Sequence, residues 1–211
     1  MDEELDDFPI VLDSDQKSSN EPSIKSRVES INKQMNNYNQ LVAEVLMSRD
    51  KIIDRTEEGT RRLFAKTLTW DLREGFPAVT CKKLAWNACR SELFWFLEGS
   101  TNIERLRELT YGSNSTKYTI WDANYERQAL DLDYTDGELG PVYGAQWRDF
   151  GGVDQIDELI RGLKFNPYGR RHLVSAWNVA ELDKMALPPC HYSFQCFVSK
   201  DGFLDLMWNQ R

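Results

Sequence analysis

Histidine occurs only twice in the 211 residues, and none of the four cysteines belongs to a Cys-x-x-Cys pair. The spacing that builds zinc sites is therefore missing. The acidic N-terminus holds no apolar run of the secretory kind, so Cys81, Cys89, Cys190 and Cys196 are expected as free thiols in a reducing compartment. The densest apolar stretch, Leu93-Phe94-Trp95-Phe96-Leu97, falls well short of the ~20 residues a membrane-spanning helix needs. Basic charge is also short: 26 Lys and Arg against 34 Asp and Glu leave a net charge of −8. A non-specific nucleic-acid binder needs a basic surface, so no DNA binding is expected. A small arginine cluster around one phosphate remains compatible with this balance. The expectation is a cytoplasmic chain with no membrane segment and no metal.

What is present suits a packed enzyme domain. Hydrophobic residues make up 41% and aromatics 12%, with 7 Trp spread along the chain. That supports one sizeable core with aromatic lining. Residues 1–34 differ from the rest. They carry nine acids against four bases, a net −5 of the total −8. Rich in Ser, Asp and Asn, they read as an acidic, mostly disordered extension. The ordered domain is expected over 35–211.

Tyr38, Leu41, Val42, Val45 and Leu46 form the stripe of an amphipathic helix. Leu63–Trp70 reads as a strand, closed by the turn at Glu74-Gly75-Phe76-Pro77. Residues 84–97 form an apolar helix ending at Gly99, and Thr101 with Glu104 forms a capping box for a helix over Ile103–Leu109. Residues 110–146 read as loop-rich. Asp154–Leu163 is helical, with Ile156, Leu159, Ile160 and Leu163 on one face. His172–Trp177 is β-prone, and a short helix begins at Asn178 and Glu181 and ends at Pro188-Pro189. His191–Val198 alternates, placing Tyr192, Phe194, Cys196 and Val198 on one face. It turns at Asp201-Gly202 into a return strand over Phe203–Arg211. The fold class expected is α+β, a mixed β-sheet backed by helices.

Several residues could carry chemistry. Cys190 follows two prolines and opens a strand, so its thiol is placed rather than floppy; a buried structural thiol is the alternative. Glu92 has Ala88, Cys89, Trp95 and Phe96 as helical neighbours. A carboxylate on such a face is costly unless bonded or protonated, which suits acid–base work; the alternative is an edge position reaching water. Arg55, Arg170, Arg171 and Arg211 offer the planar fork that fits phosphate, though each taken singly reads as a surface charge. Trp121, beside Asp122, could stack on a planar ring or simply fill the core.

Taken together, these segments resemble the thymidylate synthase family, in order, over nearly all of 35–211. The resemblance rests on Asp54-Arg55-Thr56, Gly75-Phe76-Pro77, Glu92–Leu97, Thr119-Ile120-Trp121-Asp122, Gly140-Pro141-Val142-Tyr143-Gly144, Gln146-Trp147-Arg148, Arg170-Arg171, Val174–Asn178, Met185–His191 and Gln210-Arg211. The Phe-Gly-Gly-Val-Asp-Gln stretch at 150–155 and the 123–135 insert are most similar to the bacteriophage branch.

The resemblance implies reductive methylation of dUMP to dTMP, with 5,10-methylenetetrahydrofolate as cosubstrate. Cys190 would be the thiolate that attacks carbon 6 and makes carbon 5 nucleophilic, with Arg211 favouring the anion. Glu92 would assist proton transfers through water. Tyr143 would lie near the proton removed from carbon 5. The phosphate would be held by Arg55 and Arg211 of one subunit and Arg170 and Arg171 of its twofold partner, so a homodimer with shared sites is implied. Gln195 would line the dUMP site, Ile120 and Trp121 would pack against the folate, and His191 would play a supporting part.

Three departures from the family pattern stand out. Glu57-Glu58-Gly59-Thr60 puts two acids in the loop after Arg55, where Gly-Thr-Gly-Thr is usual. Asn209 stands where Tyr is common. Family members also continue past Gln-Arg, so about a hundred residues are expected to be missing from this chain, judged against a normal domain length. The 211-residue chain alone is therefore expected to have little activity. Two alternatives are a deoxypyrimidine-monophosphate hydroxymethylase, with the same Cys and folate, and a non-catalytic dimerising remnant.

Overall fold

The computed structural model describes residues 23–53 and 59–211. The chain divides into two compact units, Met1–Leu84 and Ala85–Arg211. In the first, helix α1 spans Ile24–Met47. It begins upstream of the expected boundary at residue 35, so residues 24–34 are helical where disorder was expected. The rest of the proposed extension, residues 1–22, lies outside the described residues. Strands β1 (Lys51–Ile53) and β2 (Gly59–Arg61) pair antiparallel, Ile52 opposite Thr60. Lys66 pairs with Glu44 of α1 at 2.6 Å.

Leu63–Trp70 is not a strand. Ala65 has φ 56°, a left-handed conformation that breaks an extended run. Among the described residues this segment has no strand to pair with, and Phe64 is 97% exposed.

The second unit holds the core. Its elements are α2 (Trp86–Leu97), α3 (Ile103–Tyr111), α4 (Asp122–Asn124), α5 (Tyr143–Arg148), α6 (Gln155–Phe165), β3 (Leu173–Ser175), β4 (His191–Val198) and β5 (Leu204–Gln210). Helix α3 starts where expected, but Asn102 caps it, accepting from the Glu104 N–H at 2.8 Å. Thr101 is engaged elsewhere, its hydroxyl donating to Glu138 at 2.7 Å. Asp154 caps α6 by accepting from the Asp157 N–H. The region expected to be loop-rich, 110–146, contains α4, a π-helical turn at Tyr125–Ala129, a 3-10 turn at Leu130–Leu132 and the start of α5. None of these pieces exceeds six residues, too few to repeat an apolar stripe along the sequence.

The three-stranded sheet has order β3-β4-β5. Every ladder among the described residues is antiparallel. Val174, Phe194 and Trp208 lie side by side on the face turned to α5, where Trp147 meets Phe194 edge-on at 5.4 Å. The fold class is α+β, as the pattern of apolar periods indicated.

The expected alternation along β4 fails at its start. His191 pairs with Gln210 and Ser193 with Asn209, so two steps on β4 face one on β5. This bulge takes Tyr192 off the core face, and it is 36% exposed. A bulge re-aims the residues around it. Here the His191 ring lies 5.3 Å from Trp208 and 6.0 Å from Tyr143.

Candidate active site

Two glycines set the position of Tyr143. Gly140 has φ +74°, and a Cβ there would fall 2.2 Å from the Lys184 carbonyl oxygen. A Cβ at Gly144 would fall 2.3 Å from the Ser100 carbonyl oxygen. Only glycine permits both approaches. Gly140 brings the approach to α5 against the Lys184 backbone and Gly144 brings the first turn of α5 against the Gly99-Ser100 backbone just after α2, and the Tyr143 ring stacks on Phe96 at 4.5 Å.

The Tyr143 hydroxyl accepts two backbone N–H groups, Cys190 at 2.8 Å and His191 at 3.2 Å. It therefore fixes the strand entrance that carries the thiol, from 47 residues away in sequence. Burial above all pushes the Tyr143 phenol up, and the Cys190 and Glu92 charges act the same way. The hydroxyl keeps its proton near neutral pH.

Arg211 holds the same segment from the other side. Its backbone N–H donates to the Cys190 carbonyl at 3.0 Å. Its Nε donates to the Pro189 carbonyl at 3.1 Å and Nη2 to the Pro188 carbonyl at 3.0 Å. Three successive carbonyls, two belonging to prolines that cannot donate, thus converge on one arginine. Cys190 itself is half-buried and free.

Glu92 projects from α2 into the aromatic cluster. The Trp121 indole N–H donates to its Oε1 at 2.6 Å. Burial raises the Glu92 pKa, partly offset by that hydrogen bond. A carboxyl so placed holds its proton to a higher pH than an exposed glutamate does. Trp121 is 4% exposed and Ile120 71% exposed. Of the pair expected to face folate, Trp121 is a core residue carrying Glu92, and Ile120 is the exposed apolar member. Burial pushes the His191 imidazole down, so it is neutral at pH 7.

Gln195 sits mid-strand in β4, half-buried, opposite Leu173 and Met207. Arg170 and Arg171 are exposed and lead into β3. His172, 5% exposed, ties that turn by its Nε2 to the Asn166 and Pro167 carbonyls at 3.0 and 3.2 Å. Arg55 lies outside the described residues. Glu92, Tyr143, Cys190, His191 and Arg211 are gathered by direct contacts or shared partners. No contact links Arg170 or Arg171 to that group among the described residues.

Sequence reading missed two supporting features. One is a polar network in which Gln146 donates to Pro141 and Glu181 at 2.9 and 2.8 Å while accepting from Asn178 at 3.1 Å. The other is the buried pair of Arg107 with Asp122, whose second oxygen accepts from the Thr119 N–H at 2.6 Å. The signal for the first was present in polar residues set among apolar ones, Gln146 between Val142 and Trp147 and Asn178 just after the Val174–Trp177 run. Among the described residues no cluster of three His, Cys, Asp or Glu side chains could hold a metal. No described helix is long and apolar enough to cross a membrane.

The α+β frame brings together a free, half-buried thiol at the entrance of β4, a partly buried carboxyl and an arginine clamp, a set that suits an enzyme site, and the comparisons give the family. The thymidylate synthase family model matches residues 36–211. A probable thymidylate synthase of Escherichia phage T5 is 60% identical over 177 residues, covering 84% of this chain and 63% of that protein. The thymidylate synthase of Enterobacteria phage T4 is 55% identical over 177 residues, covering 84% and 62%. That of Mesoplasma florum is 46% identical over 198 residues, covering 84% and 66%. The crystal structure of thymidylate synthase from T4 phage superposes with a TM-score of 0.78 at 56% identity, over 82% of this chain and 60% of that one. The chain belongs to the thymidylate synthase family. It spans about 62–66% of the length of these relatives.

Proposed function

We propose that this chain carries the nucleophile-bearing part of an enzyme that methylates dUMP to dTMP with 5,10-methylenetetrahydrofolate. The observation that carries the reading is the double hold on Cys190. Tyr143 fixes its backbone N–H, and Arg211 fixes its carbonyl and the two before it. A thiol held in this way can approach one carbon of a bound ring from one direction, the condition for efficient covalent attack.

In this mechanism the Cys190 sulfur bonds to carbon 6 of the pyrimidine, and the ring's electron pair moves to make carbon 5 nucleophilic. The folate supplies the one-carbon unit and the hydride. Glu92, with its raised pKa, passes protons to and from the pyrimidine through water. Tyr143, a neutral hydroxyl beside the Cys190 amide, lies where the carbon 5 proton departs. Arg211, Arg170, Arg171 and Arg55 bind the phosphate. Gln195 lines the nucleotide site, with His191 in support. The exposed Ile120 beside the Trp121–Glu92 pair offers the apolar surface that a folate ring needs.

The enzyme acts as a cytoplasmic homodimer. The sheet face opposite the core supports this, since it presents Leu173, Phe197 and Met207, each about half exposed. Turnover requires the family's C-terminal portion: the chain spans about 62–66% of its relatives' length, and among the described residues β5 pairs only with β4 and is exposed along nearly its whole length.

The test is dihydrofolate formation by two proteins. One is the 211-residue chain. The other is the chain joined after Arg211 to the remaining C-terminal portion of the phage T4 enzyme. The expected result is no turnover by the first and dUMP-dependent turnover by the second. Turnover by the first sinks the requirement for the missing portion. A joined protein acting on dCMP and not dUMP makes the hydroxymethylase reading the better one. A joined protein that folds and dimerises without turnover on either nucleotide supports a non-catalytic remnant.

A further inference from the structure

Trp177 is 36% exposed and follows β3. It adds little to the core, yet its backbone is fixed on both sides. On the N-terminal side Gln155 grips Ser175 twice, donating to its carbonyl at 2.7 Å and accepting from its N–H at 2.9 Å. The Ala176 N–H donates to the Tyr192 carbonyl at 2.8 Å. On the C-terminal side Asn178 donates to Gln146 and Glu181, both at 3.1 Å. Gln146 is 1% exposed. Buried polar groups so fully bonded make a stiff mount. What the mount presents is an indole face. The Arg211 guanidinium carbon lies 5.2 Å from the centroid of that ring.

The Nε and Nη2 donors along one edge of the guanidinium are used on the Pro189 and Pro188 carbonyls. The hydrogen bonds fix one edge of its plane and the indole fixes its face. An exposed arginine otherwise samples many rotamers, and a stacked, bidentate arrangement suppresses them. We propose that Trp177 is a positioning residue: its indole orients the Arg211 guanidinium so that its positive charge bears on the Cys190 site. This rests on the reading of Cys190 and Arg211 given above. An aromatic face is needed there, because attraction of a cation to a ring comes from the ring's quadrupole, which an aliphatic side chain lacks.

The test reads local positive charge through the thiol itself. Cys190 in the folded 211-residue chain is alkylated with iodoacetate, an anion, and with iodoacetamide, its neutral analogue. Rates are followed on the Cys190 peptide by mass spectrometry. In both reagents the sulfur–carbon bond forms and iodide leaves, so the ratio of the two rates isolates charge from accessibility. Arg211→Gln sets the floor of the ratio. Trp177→Leu and Trp177→Met are expected to lower it by about two- to fivefold toward that floor. Trp177→Phe is expected to hold it near the parent value. In the Arg211→Gln background Trp177→Leu is expected to change nothing further.

A parent ratio retained by the aliphatic variants overturns the assignment. So does an equal fall in Trp177→Phe, or unfolding of both aliphatic variants, which would make the indole a packing residue. An Arg211→Gln ratio equal to the parent's removes the charge that Trp177 is said to orient, and the assignment falls with it. Failure of the joined protein to turn over dUMP, with the ratios behaving as stated, overturns the catalytic reading and leaves the role of Trp177 intact.

Discussion

Strands β4 and β5 lie side by side, hydrogen-bonded along most of their length, and are similarly rich in apolar residues. Phe194 and Cys196 of β4 are buried. On β5 the residues opposite them, Trp208 and Leu206, are 43% and 55% exposed. Pairing does not explain the difference, since the ladder is shared. Neighbours explain it. Among the described residues β4 has a strand on each side and β5 has one on one side only, and Trp147 of α5 lies closer to Phe194, at 5.4 Å, than to Trp208, at 6.4 Å. Alternation in a sequence thus decides which way a side chain points, and the surrounding layers decide whether it is buried. The site is built on the better-held strand and clamped by the last residue after the worse-held one.

The largest effect expected is on the packed side. Phe194→Ala should cost about 3–5 kcal/mol, the range for a buried aromatic cut to Ala, read from the urea midpoint. A loss under about 1 kcal/mol would erase the contrast between the strands. Next comes the hold on the strand entrance. Tyr143→Phe removes the acceptor of two backbone N–H groups and should cost about 1–3 kcal/mol. Hydrogen exchange at the Cys190 and His191 amides should speed up, and unchanged exchange there would show that the hydroxyl does not hold them. On β5, Leu206→Ala should cost less than about 1 kcal/mol, because half of that side chain already meets water. An effect as large as that of Phe194→Ala would mean that β5 is covered.

The smallest effect concerns charge. The folded-state pKa of Glu92 is raised, so its contribution to stability is fully present below the ordinary carboxylate range. It is lost as pH rises through the raised value. The stability of Glu92→Gln relative to the parent, from thermal melts across that window, should therefore improve with rising pH and then level off. A relative stability that falls instead would mean that the carboxylate is better satisfied than its burial implies.

Much of this was legible in the sequence. Helices α2, α3 and α6 and the β4–β5 hairpin carry strong apolar periods between clear stops, and they lie within a few residues of expectation. Cys190, Tyr143, Glu92 and Arg211 could be named from their motifs. Their mutual arrangement could not, because the contacts span long sequence separations: 47 residues for Tyr143 and Cys190, 29 for Trp121 and Glu92. The strand expected at Leu63–Trp70 failed because local propensity says nothing about whether a partner strand exists. The bulge at Tyr192 and the stacking of Arg211 on Trp177 left no local signal, since both depend on which residue a neighbouring element presents.

The central claim is that Cys190 is the attacking nucleophile, and Cys190→Ser in the chain joined to the family's C-terminal portion tests it most directly. Dihydrofolate formation from dUMP and methylenetetrahydrofolate is the readout. The account predicts a loss of at least about a thousandfold in kcat, since a hydroxyl is a far weaker nucleophile than a thiolate, with the fold and dimer retained. A Cys190→Ser enzyme within about tenfold of the parent would contradict it.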